Sequence, residues 1–247
     1  VVQNAGNLTN ADMAGIAARL GMETTFVDGT TLRYYQPSGA AMTLCGHGTL
    51  AALAAMGREG EFQVSTPAGD LDVVVDKHLM GLAMPKVTLG EELDPAVAAR
   101  ALGITPDDID GPVQVGSAGR PKLIVPVRSV EALDALHPDQ SAVDECCATV
   151  GATGIYVFTT QARVLGTQAE ARHFCSGAGM YEDPVTGVAA VVLAWYLWHY
   201  GVAPGCCRLK FGQGHAMGRP GLIMVRQDDA GGLWIHGQAV IGGTREV

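Results

Sequence analysis

Glu23 stands in Met22-Glu23-Thr24-Thr25-Phe26-Val27, a carboxylate inside an apolar, β-branched stretch. A group placed so loses part of its water, which raises its pKa toward the range useful for general acid/base work. A solvated Glu at a strand end is the plainer alternative. Cys45 and His47 flank Gly46 in Cys45-Gly46-His47-Gly48-Thr49. A thiol at a helix start has a lowered pKa and serves as base or nucleophile, and an imidazole two residues on holds or relays a proton. The alternative here is a small buried Cys and a capping His. Asp183 precedes Pro184 in Glu182-Asp183-Pro184-Val185-Thr186-Gly187. The two read as N-cap and first residue of a helix, or as a carboxylate aimed at a ligand, and Glu182 is expected to face solvent. No second Cys or His lies at a ligand spacing from Cys45 and His47, and His173, His199, His215 and His236 are scattered, so no metal site is expected. Gly212 to Gly221 is neither a phosphate-cradling loop nor a dinucleotide fingerprint and reads as a loop between strands.

Two segments must position these groups. Cys45 to Thr49 runs into Leu50-Ala51-Ala52-Leu53-Ala54-Ala55-Met56 and stops at Gly57; Glu182 to Gly187 runs into Val188 to Tyr200 and stops at Gly201. Each is a polar, Gly-containing turn feeding a helix that is apolar almost all round, and such a helix must be wrapped on every side. Short strands are available to wrap them, at Thr24–Val27, Leu32–Gln36, Phe62–Thr66, Leu71–Val75 and Leu79–Met84, and again from Lys122–Val127 to Leu233–Val240. Asn10 is a plausible N-cap for a helix ending at Gly21. The free N–H groups and dipole of both apolar helices suit a small carboxylate. Ile104 to Gly119, with two Pro, three Asp and three Gly, is the expected boundary between the halves, giving domains 1–108 and 109–247, with the last strand free to cross back to the first.

The chain has 247 residues, 48% apolar and 17% charged, enough for a substantial core. Net charge is −9, with 7 Lys/Arg against 14 Asp/Glu up to Arg120 and 9 against 11 beyond it. Neither half carries the basic excess of a nucleic-acid binder. The longest apolar run, Val188 to Leu197, falls short of the ~20 residues that span a bilayer. No membrane or nucleic-acid partner is expected. Six Cys without a C-x-x-C pair, and no secretory leader at Val1, read as reduced thiols in the cytoplasm.

Taken in order, Glu23-Thr24-Thr25-Phe26-Val27, Cys45-Gly46-His47-Gly48-Thr49-Leu50-Ala51, Gly119-Arg120-Pro121-Lys122-Leu123, Glu182-Asp183-Pro184-Val185-Thr186-Gly187 and Met217-Gly218-Arg219-Pro220 resemble the PhzF-like proteins of the phenazine-biosynthesis type. The resemblance implies an α+β, diaminopimelate epimerase-like fold of two pseudo-symmetric half-barrels, each a curled sheet around a central apolar helix, with the substrate in a cleft between the two helices. It also implies a cofactor-independent isomerase, a homodimer, acting on a small carboxylate in bacterial secondary metabolism such as antibiotic biosynthesis. Glu23 corresponds to the Glu that moves the proton, and His47 and Asp183 to the residues that bind and orient the substrate. Gly46 and Gly187 would supply the anion-binding amides, with Cys45, Gly48 and Val188 beside them.

Three departures qualify this reading. Val188 stands where the family usually has Ser, the opening strand survives only as Val1-Val2, and Phe174-Cys175-Ser176 replaces F-x-P. Cys45 keeps open an amino-acid epimerase, although its partner thiol would fall near Asp183-Pro184, where there is no Cys. A catalytically inactive binding protein on the same fold is the other alternative.

Overall fold

The computed structural model describes residues 1–77, 79–177, 181–244 and 246. Two compact units divide the chain, Val1–Ala83 with Trp234–Val247, and Met84–Leu233.

In the first unit, β1 (Val2–Gln3) leads through a 3-10 turn to α1 (Asn10–Leu20). Its N-cap is Thr9 rather than Asn10: Thr9 Oγ1 accepts from the Asp12 amide while Asp12 returns a carboxylate oxygen to the Thr9 amide. That reciprocal pairing satisfies two otherwise free donors. Gly21, at φ 63°, ends the helix and turns the chain into β2 (Thr24–Asp28). β3 (Thr31–Tyr35), β4 (Ala41–Met42), α2 (Gly46–Met56), β5 (Gly60–Thr66), β6 (Gly69–Asp76) and β7 (Leu79–Met84) follow. Met13, Ile16 and Ala17 of α1 pack against Val2, Phe26 and Tyr35, while α2 packs on β2 and β3.

The second unit continues with β8 (Thr88–Leu93), α3 (Pro95–Leu102), β9 (Val113–Ser117), β10 (Lys122–Pro126), α4 (Val130–Asp134), α5 (Gln140–Val150), β11 (Gly154–Thr159), β12 (Ala169–Cys175), β13 (Glu182–Asp183), α6 (Gly187–His199), β14 (Arg208–Gln213) and β15 (Gly221–Gln227). β16 (Leu233–Gly237) then returns the chain to the first unit, beside β7. In α6, Val188 through Ala194 are all buried, as an apolar helix without a polar face requires. α2 is less enclosed. Gly46, Gly48, Thr49, Ala52 and Leu53 are buried and much of the rest is half-buried.

Strands of the first unit run in the order β1-β2-β3-β5-β6-β7-β16, with β4 beside β3; those of the second run β15-β14-β12-β11-β10-β9-β8, with β13 beside β12. β1 and β2 are parallel, β2 and β3 antiparallel, β3 and β5 parallel. β10 and β11, β11 and β12, β12 and β14 repeat that sequence of directions. The same α+β device, a curled sheet with a central helix, is therefore built twice. The division falls at Ala83 and Met84 rather than near residue 108. Antiparallel pairing of β8 with β9 draws the segment before the Pro- and Gly-rich stretch into the second unit.

Candidate active site

Glu23 sits at the turn between α1 and β2, and Cys45 is the N-cap of α2. Glu23 Oε2 lies 2.7 Å from His47 Nε2. Cys45 Sγ lies 3.7 Å from the same oxygen and 3.6 Å from the same nitrogen. The structure thus gathers three of the residues singled out in the sequence into one cluster. The thiol is buried, the carboxylate is 26% exposed and the imidazole 57% exposed. Cys45 first and Glu23 second hold the His47 proton well above the ordinary imidazole range, because both stabilise the cation.

Packing explains why glycines surround these groups. A Cβ on Gly48 would stand 2.4 Å from Thr25 Oγ1 and 3.0 Å from Cys45 Sγ, so the first turn of α2 approaches β2 more closely than any side chain allows. On the other side, a Cβ on Gly46 would meet Ile235 Cδ1 at 3.2 Å. Thr49 fixes the Cys45 backbone. Its amide and its Oγ1 both donate to the Cys45 carbonyl, at 2.9 and 2.8 Å, and Tyr34 Oη is 2.8 Å from the same Oγ1. Cys45 makes no side-chain cap to its helix, which leaves the first-turn amides available to an anion.

Asp183 lies just ahead of α6 in the second unit, but not as a helix cap. It lies in β13, α6 begins only at Gly187, and its N-cap is Thr186. The Asp183 carboxylate instead closes the turn, accepting from the Val185 amide at 3.2 Å and from Thr186 Oγ1 at 2.7 Å. Burial pushes its pKa up, yet His173 and Thr186 outweigh that and hold it below the usual carboxylate range. His173 Nδ1 is 2.9 Å from Thr186 Oγ1. Since that hydroxyl gives its proton to Asp183, the ring must donate, and its Nε2 is a buried acceptor with no hydrogen-bond partner among the described residues. Gln213 completes the network, donating to the Asp183 carbonyl at 2.7 Å and accepting from Tyr156 Oη at 3.0 Å. His173 and Gln213 were not singled out from the sequence, where an isolated His and an isolated Gln in mixed strands carry no signal.

Glu182 corrects an expectation. It does not face solvent but is buried in a two-pronged ion pair with Arg172, at 2.9 and 2.8 Å. Arg172 also donates to the carbonyls of Leu133 and Leu136. Glu182 and Asp183 are neighbours in a strand and therefore point to opposite faces, one into structure and the other into the Thr186 network.

Register identifies which residues of the two units are counterparts. Tyr34 pairs with Met42, three residues before Cys45, and His173 pairs with Asp183, three residues before Thr186. Thr186 is thus the counterpart of Cys45, Gly187 of Gly46 and Val188 of His47. Thr24 pairs with Tyr35 and Ile155 with Phe174, which makes Gly154 the counterpart of Glu23.

Residues 1–244 match the family model described as phenazine biosynthesis-like protein, PhzC-PhzF. The chain is 32% identical to the Bacillus subtilis protein named uncharacterized isomerase YfhB, over 99% of this chain and 91% of that one. It is 28% identical to the trans-2,3-dihydro-3-hydroxyanthranilate isomerase of Pseudomonas chlororaphis, covering 91% and 82% of the two chains. Among solved structures, a PhzF-family phenazine biosynthesis protein of Bacillus anthracis superposes with a TM-score of 0.83 at 26% identity, over 95% of this chain and 87% of that one. A hydroxyproline epimerase from Agrobacterium vitis shares the fold, with a TM-score of 0.53 at 16% identity over 84% and 67% of the chains. The repeated sheet-and-helix architecture, the Glu-Cys-His junction and a match along nearly the whole length lead to one conclusion: this chain is an isomerase belonging to the phenazine biosynthesis-like PhzC-PhzF family.

Proposed function

We propose that the enzyme moves a proton, and with it a double bond, along a small unsaturated carboxylic or amino acid, with Glu23 as the proton carrier. The observation that carries this reading is the Glu23–His47 contact. Among the described residues both polar contacts of the carboxylate fall on Oε2, from His47 at 2.7 Å and Cys45 at 3.7 Å, which leaves Oε1 to meet a carbon acid. Conjugation with a carboxylate or enamine acidifies the C–H; Oε1 takes the proton as the electron pair enters the conjugated system, then returns it at another carbon. His47 stays protonated and orients the carboxylate. The amides of Gly46 and Gly48 are assigned to the substrate's anionic group. Val188 offers no hydroxyl, which suits a substrate other than the phenazine precursor. As the family resemblance implies, the same reading makes the enzyme a cofactor-free cytoplasmic homodimer of bacterial secondary metabolism.

Cys45 supports a second reading, an epimerase, since its thiol touches the same carboxylate. Against this, the second unit's counterparts of Glu23, Cys45 and His47 are Gly154, Thr186 and Val188, none of which carries a proton-transferring acid or base. One carrier that both takes and returns the proton fits that asymmetry better than two opposed bases.

The test is proton NMR in D₂O with a panel of small unsaturated acids, including trans-2,3-dihydro-3-hydroxyanthranilate. Double-bond migration with partial deuterium at the new C–H is expected, falling about 10²–10⁴-fold in Glu23→Gln. Exchange at an α-carbon without migration, lost in Cys45→Ala, would establish the epimerase. Tight binding of a panel member with neither change would establish the binding protein.

A further inference from the structure

Thiolate, imidazole and carboxylate are the donors from which proteins build zinc sites. Cys45, His47 and Glu23 bring one of each together, with a ligand atom from every residue within 4.8 Å of the others. We propose that these three residues bind zinc, with protein at three positions and solvent at the fourth.

Geometry is the main argument. Four-coordinate zinc holds neighbouring donors about 3.3–3.6 Å apart, given Zn–S near 2.3 Å and Zn–N and Zn–O near 2.0–2.1 Å. The two edges to sulfur are 3.6 and 3.7 Å, already at that spacing. The third, between Nε2 and Oε2, is 2.7 Å because a proton now bridges it. Replacing that proton by a metal opens the edge by about 0.6 Å. Sγ is also 3.8 Å from Nδ1, nearly as close as to Nε2, so it is not aligned with the Nε2 lone pair and capture requires the imidazole to turn. With 57% of its side chain exposed, His47 has room to do so. Cys45 has not: Thr49 grips its carbonyl with two hydrogen bonds and is itself held by Tyr34, the kind of support that keeps a metal ligand in place.

Charge balances without any oxidation. Zinc gains a thiolate, a carboxylate and a neutral imidazole, giving a neutral complex, and the thiol proton and the imidazolium proton pass to solvent. Spacing rules read only Cys45-x-His47, because the third ligand, Glu23, lies three strands earlier in the chain. Resting on the proposed function, one consequence follows: the metal occupies the proton carrier, so it inhibits rather than assists.

The metal itself, Co²⁺ and then Zn²⁺, is the probe. Chelator-treated full-length protein titrated with Co²⁺ should develop one equivalent of a thiolate-to-cobalt charge-transfer band with the strong visible bands of four-coordinate cobalt, and Zn²⁺ should abolish them. Cys45→Ala should lose the band, and Glu23→Gln or His47→Asn should weaken binding by more than the ~100-fold that loss of a supporting partner costs. A double change at half-buried Cys206 and exposed Cys207 should leave the band intact. No band, or a band that survives in Cys45→Ala and vanishes in the Cys206/Cys207 variant, would overturn the site. If the band behaves as expected but Zn²⁺ leaves turnover unchanged, the site stands and the role of Glu23 as proton carrier falls.

Discussion

At Glu23 and His47 a carboxylate and an imidazole 2.7 Å apart contend for one proton, and the buried thiol beside them helps decide where it rests. A cation at a helix start is disfavoured by the dipole by roughly 0.3–1 kcal/mol, so His47 keeps its proton only because Glu23 and Cys45 are adjacent. Across the ordinary imidazole range, near 6.5, the His47 ring resonances should therefore not titrate. Glu23→Gln should bring the midpoint down toward that range, and an unshifted midpoint in the variant would remove the ion pair from the account. His173 behaves oppositely. Burial drives it down from 6.5 to about 4, so the folded protein keeps it neutral where the unfolded chain would take a proton. Stability from this group is complete above pH 6.5 and is lost as pH falls toward 4, by on the order of 3 kcal/mol. Urea midpoints for wild type and His173→Gln should converge as the pH is lowered through that window; parallel curves would show that His173 does not titrate there.

Elements, rather than residues, explain why the cluster is so tight. β2 and the first turn of α2 touch through Gly48, where a Cβ would come within 2.4 Å of Thr25 Oγ1. Gly48→Ala should cost roughly 1–3 kcal/mol in unfolding free energy, as overpacking does, and displace Cys45 from His47. Thr25→Ala removes the obstructing hydroxyl, so the double variant should recover much of that loss, and a strictly additive pair would place the strain elsewhere. How much of this was legible in the sequence follows from the same contacts. Helix ends were readable because Gly21 and Gly57 end their helices in the left-handed conformation that Gly favours. Glu23, Cys45 and His47 could be singled out by type and setting, but nothing local says that a turn and a helix start bring them together. Composition hid Glu182: a charged residue beside Asp183 looks solvated until Arg172, ten residues upstream on the paired strand, is seen to meet it. α3 passed unread although Asp94, Pro95 and Gly103 are its cap, first residue and stop, because its eight residues make barely two turns, too short a window for periodicity to be read.

Over the whole molecule, the first unit is discontinuous, since Trp234–Val247 complete what Val1–Ala83 begin. β16 is more than an added edge strand. Ile235 is 2% exposed and faces Gly46, and a Cβ on Gly237 would stand 2.7 Å from Leu50 Cδ1, so the strand lies against the start of α2. The cluster at Glu23, Cys45 and His47 thus depends on a segment almost two hundred residues away in sequence. A chain ending at Leu233 should lose the contribution of Ile235, a side chain of the size whose truncation costs about 2–5 kcal/mol in a core, and leave β7 as an unpaired edge. The second unit, whose core around Val125, Val143, Cys147 and Val157 contains no residue from that tail, should remain folded. Thiol labelling with peptide mapping separates the two effects. Cys45 is 8% exposed in the intact chain, and in the shortened one it should react at least tenfold faster, while Cys147, 0% exposed, stays protected. Ile235→Ala should give an intermediate rate, because it removes the contact without removing the strand. Cys45 protected equally in all three proteins would mean that β2 and β3 hold α2 unaided, and the returning strand would lose its place in forming the site.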